Sequence, residues 1–166
     1  ANMVLQSGAK RANERGGGVL AADGRPAGGV PDGVYTSLSS SQPFVNDAGQ
    51  VLFRGNLAIG SGGVTSSTNS GIWIADVGEL PELVLREGDP APDSNTVFSE
   101  QTTVIDRAFA NFNSAGQATV HHRLTTATPS TDFGIWLEGL DQTTATVARE
   151  GSAATGYTAG TAYYSS

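Results

Sequence analysis

Apolar and polar residues alternate along QVLFRGNL, residues 50–57. Val51, Phe53 and Gly55 fall on one side, and Leu52, Arg54 and Asn56 on the other. A period of two is the pattern of a half-buried β-strand. GIWIA (71–75) predicts a second strand and ELVLRE (82–87), matched by ATVARE (145–150), a third; the fourth is expected around Thr96, Val97 and Phe98, or around Gly33, Val34 and Tyr35 in an earlier copy. The turns between them have their own chemistry. In NDAG (46–49) and NSAG (113–116), the side chain of Asn46 or Asn113 can bond the backbone two residues on, and Gly49 or Gly116 supplies a positive φ before the next strand. In REGDPAP, Gly88 followed by Pro90 and Pro92 ends a strand without continuing into a helix, and Gly151 holds the same place in the later REGS. The only helix candidate, QSGAKRANER (6–15), is cut short by the glycines at 16 to 18. The pattern predicts an all-β, antiparallel fold.

The strands repeat. Gly71-Ile72-Trp73 returns as Gly134-Ile135-Trp136, and Arg86-Glu87-Gly88 as Arg149-Glu150-Gly151, both at an offset of 63. Upstream, NDAGQVLFRGNL (46–57) matches NSAGQATVHHRL (113–124) at an offset of 67, the difference being taken up by a shorter loop before the second GIW. A partial copy stands at the front, where VLAADGRPA (19–27) aligns with LVLREGDPA (83–91). Four short strands in a unit of this length resemble a β-propeller blade, so the expected architecture is about two and a half four-stranded, blade-like units, with a β-sandwich as the alternative. The divisions are an N-terminal arm (1–18), a partial repeat (19–45), a first repeat (46–108), and a second repeat with a C-terminal strand (109–166). Phe53, Ile72, Trp73, Ile135 and Trp136 hold fixed places in the repeat and are expected in its core. Since about two and a half blades cannot close a ring, exposed faces need covering by something else.

Composition narrows the function. The 166 residues carry 22 glycines, no cysteine and a net charge of -7. With Lys10 the single lysine, a basic face that neutralises phosphates is not expected, and neither is nucleic-acid binding. No run approaches the roughly 18 to 20 apolar residues of a spanning helix, so membrane insertion is not expected either. Without cysteine there are no disulfides or thiolate metal sites.

The NxxG turn, a Phe-containing strand, GIW and REGDPAP together resemble the tandem repeat N-x-x-G-x-x-A-F of exported bacterial proteins. Asn46, Gly49, Leu52 and Phe53 match it with Leu for Ala; Asn113, Gly116, Thr119 and Val120 match it more loosely. The resemblance covers roughly residues 19–163 and implies propeller-like repeats, an extracellular or cell-surface location and no catalytic residues. The residues themselves point the same way on chemistry. His121 and His122 are neighbours on a strand and face opposite sides, which does not suit one shared metal ion. Asp106, Asn111, Asn113, Glu87 and Asp89 could offer oxygen to calcium, but no calcium loop frames them, and turn formation is the expected role. Arg86 with Glu87, and Arg149 with Glu150, are expected to pair across strands or blades. No nucleophile, base and orienting group converge, no phosphate loop is present, and no cofactor is expected.

Three functions follow from different classes. The expected one is a non-enzymatic, exported structural protein whose repeats assemble with copies of itself into an oligomer or filament. The alternatives are a surface module binding a glycan or protein ligand, and a fragment of a propeller enzyme. Residues 1–25 carry a charge of +2 and the rest -9. With Met3, Val4 and Leu5 ahead of Lys10, Arg11 and Arg15, the first 15 residues are expected to form an assembly arm that adds a strand to a neighbouring copy.

Overall fold

The computed structural model describes residues 4–6, 19–38, 43–99, 110–125, 131–138 and 143–154. Among them, eleven strands form three antiparallel sheets. The first pairs β1 (Val4–Gln6) with β2 (Val19–Ala22). The second runs β3 (Tyr35–Leu38), β5 (Val51–Leu57), β6 (Ser70–Ala75) and β7 (Glu82–Arg86), with β4 (Phe44–Val45) also on β5. The third runs β8 (Ala110–Phe112), β9 (Ala118–Arg123), β10 (Phe133–Glu138) and β11 (Thr144–Arg149). The fold is all-β, with the second and third sheets packed face to face in a sandwich-like stack.

The units share register as well as sequence. A bulge interrupts the pairing between Ile72 and Trp73, where β7 carries one extra residue, Val84. The same bulge lies between Ile135 and Trp136 opposite Val147, and between Leu5 and Gln6 opposite Leu20. A bulge turns two consecutive residues to one side, and Val84 and Leu85 accordingly enter the same apolar cluster. The register therefore places Val4-Leu5-Gln6 in the Gly-Ile-Trp slot of a first unit. Of the expected arm, Val4 and Leu5 lie in β1 and pair with Ala22 and Ala21 of their own chain. Met3, Lys10, Arg11 and Arg15 lie outside the described residues.

Two apolar clusters join the sheets. Leu20 and Ala21 of β2 meet one face of the second sheet, where Val51, Phe53, Leu57 and Trp73 are buried with Tyr35. Leu52, Ile72 and Ile74 point to the opposite face and meet Ala118, Val120, Leu124 and Trp136 of the third sheet, with Phe98 between. The second sheet is thus covered on both sides, so the half-buried alternation read from β5 becomes nearly continuous burial.

Candidate functional site

The GIW motif has a steric cause. Residues 71 and 73 lie on one face of β6, and the indole of Trp73 folds back over Gly71, where a Cβ would stand 2.7 Å from its Cη2. In the later copy, a Cβ on Gly134 would stand 2.5 Å from Cη2 of Trp136. Only glycine leaves that room. Tyr35 meets Trp73 edge-on at 5.1 Å, and Phe98 meets Trp136 in the same way at 5.0 Å. The indole N–H of Trp73 donates to the carbonyl of Gly28 at 2.9 Å; that of Trp136 is buried with no acceptor among the described residues.

The two tryptophan pockets are filled differently. Phe53 stacks on Trp73 at 6.1 Å, while Gly55 leaves space for Tyr35. In the next unit, Val120 replaces the phenylalanine and His122 the glycine, and His122 packs edge-on against Phe98 at 5.2 Å. His122 is buried, and its Nδ1 lies 2.8 Å from the carbonyl of Arg123. Burial foremost, with Arg54 and His121 nearby, lowers its pKa to about 4 against the pull of that backbone bond. His121 faces the opposite side, 4.9 Å from the ring of Phe133, and burial lowers its pKa while Glu150 raises it. The expected opposite-facing geometry of the pair holds, and no three His, Asp or Glu side chains group as metal ligands among the described residues.

The NxxG turns take the expected positive φ, with Gly49 at 85° and Gly116 at 88°; the expected bond two residues on forms at Asn113, whose Oδ1 accepts from the N–H of Ala115 at 3.0 Å, and the bond that both asparagines make is four residues on. Asn46 Oδ1 accepts from the backbone N–H of Gln50 at 2.9 Å, and Asn113 Oδ1 from that of Gln117 at 2.9 Å. Sequence reasoning missed what Asn46 does next. Its Nδ2 donates to the backbone carbonyl of Asn113 at 2.8 Å, so the turn of one unit is tied to the turn of the next. The identical turn motif was a signal for stacking, though not for this bond.

The REG elements also hold a surprise. Gly88 and Gly151 take φ of 84° and 75°, as strand-ending glycines. Arg86 reaches Asp89 at 3.4 Å. Burial raises the pKa of Asp89 against the lowering by Arg86. Glu87 and Glu150 are buried, and Glu150 Oε2 accepts from the backbone N–H of Phe133 at 3.2 Å. Glu150 thus caps the strand that carries the second GIW motif. Arg149 lies against the carbonyl of Asp93 at 3.4 Å.

One core expectation fails. Phe53, Ile72, Trp73 and Trp136 are buried, whereas Ile135 is 41% exposed. Its counterpart Ile72 is covered by the third sheet; nothing among the described residues covers the equivalent side of the third sheet. Val147 lies on that side too, at 56% exposure, with the ring of Phe133 under the guanidinium of Arg123, 4.5 Å away.

These features define an all-β protein of stacked antiparallel units, two of them keyed by a tryptophan lying over a glycine. Residues 4–166 match the model of a family of unknown function, DUF7453, and the chain belongs to that family. No curated protein and no solved structure matches it.

Proposed function

We propose that the protein is a non-enzymatic structural protein of the cell exterior whose blade-like units assemble with copies of itself. The observation that carries this reading is the use made of the recurring polar residues. Asn46 and Asn113 are spent on turns and on the tie between them, and Glu150 on a backbone N–H. Groups held this way maintain the stack and are not poised toward a substrate. The resemblance to exported repeat proteins supports the location. No helix among the described residues is long and apolar enough to cross a membrane.

Sedimentation velocity on the full chain across the micromolar range, with negative-stain images of the same samples, tests the reading. The expected result is a concentration-dependent rise above 17.0 kDa, with rings or filaments visible. A protein that sediments as a monomer throughout, with featureless images, overturns it.

A further inference from the structure

The chain contains its own template for how the bare side of the third sheet is covered. The bulge position and the residue after it occur three times: Leu20 and Ala21, Val84 and Leu85, Val147 and Ala148. The first pair is buried against the second sheet, and the second pair against the third. Nothing among the described residues covers the last pair, of which Val147 is 56% exposed and Ala148 half-buried. Ile72 and Ile135 repeat the contrast, at 2% and 41%. The turns agree with the strands. Asn46 is buried and tied to the following turn, while Asn113, its counterpart, is exposed.

What covers Ile72 and Val84 is the tryptophan side of the next unit. The first unit, the β1–β2 ribbon, has the same register at the start of the stack, with Gln6 at the position of Trp73 and Trp136. We infer that the outer side of the third sheet, centred on Ile135 and Val147, is a docking surface for the β1–β2 end of a second copy of this chain. This rests on the self-assembly reading and gives it a direction. The two surfaces differ, so the contact is head-to-tail and propagates to a ring or a filament. It continues the stacking already seen between the second and third sheets, with a bulge pair in the contact.

The exposed positions allow a test that spares the fold. Val147→Glu and Ile135→Glu place a charge in the contact; circular dichroism and a urea melt establish that each variant remains folded. Sedimentation velocity should then show association weakened by at least about tenfold for either variant. The occupant is read by disulfide trapping, which is clean because the chain has no cysteine. A mixture of Val147→Cys and Gln6→Cys should give the mixed cross-link in preference to either self-linked dimer. Wild-type assembly that Val147→Glu and Ile135→Glu leave unchanged overturns the docking surface while self-assembly stands. Trapping of Val147→Cys with itself overturns the β1–β2 occupant. A wild-type monomer at every concentration removes the reading and this inference together.

Discussion

Gly134 and Gly49 are needed for different reasons, and substitution separates them. At Gly134 a Cβ would stand 2.5 Å from the Trp136 ring, whereas at Gly49 nothing lies within 4 Å but φ is 85°. Gly134→Ala should cost about 1–3 kcal/mol by overpacking. Gly49→Ala should cost about 1–2 kcal/mol through the left-handed backbone alone. Urea denaturation measures both. If the indole is the obstacle, Trp136→Leu with Gly134→Ala should cost less than the sum of the single changes; strict additivity would refute the steric account of GIW. The motif's spacing was legible in the sequence, because residues two apart share a strand face. The folding back of the ring over the glycine was not, since it depends on the rotamer that Phe98 and the facing sheet allow.

At the scale of elements, the NxxG turn is a local device with one long-range bond added. Asn46→Asp keeps an oxygen for the Gln50 N–H but removes the donor to Asn113, 67 residues away. Asn113→Asp removes no equivalent tie to a later turn among the described residues. Asn46→Asp should therefore be the more damaging by about 1 kcal/mol, read from urea midpoints at neutral pH. Equal losses would mean that the inter-turn bond contributes nothing. The strands and turns could be read from the sequence because alternation and Asn-x-x-Gly chemistry are local. The place of β1 in the repeat could not: Val4-Leu5-Gln6 lacks the glycine and tryptophan that mark its slot, and only the repeated bulge identifies it.

For the whole molecule, His122 links pH to the stacking of the second and third sheets. Its folded-state pKa of about 4 lies below the ordinary 6.5, so between these values the unfolded chain binds the extra proton. Its contribution is present above pH 6.5 and is lost as pH falls toward 4, by up to about 3 kcal/mol. The raised pKa of Asp89 works in the opposite direction at the acid end, so the useful quantity is a difference. Unfolding free energies from pH 7 to 4 should fall more steeply in wild type than in His122→Gln. Parallel curves would show that His122 is not held neutral by the fold.

The sequence by itself determined the all-β class, the two full repeats, the turn residues and four of the five core positions, because each follows from local periodicity or from the φ that a turn demands. It also placed His121 and His122 on opposite faces, a consequence of strand geometry alone. The tertiary structure decided which repeated positions have a neighbour. Ile72 and Ile135 carry the same side chain in the same motif, yet one is buried and the other exposed, because burial depends on the next sheet in the stack. For the same reason Arg86 turns to Asp89 and Glu87 goes inside: the partner of a charged group is set by which backbone and side chains the packed units bring within reach, and that information is not local.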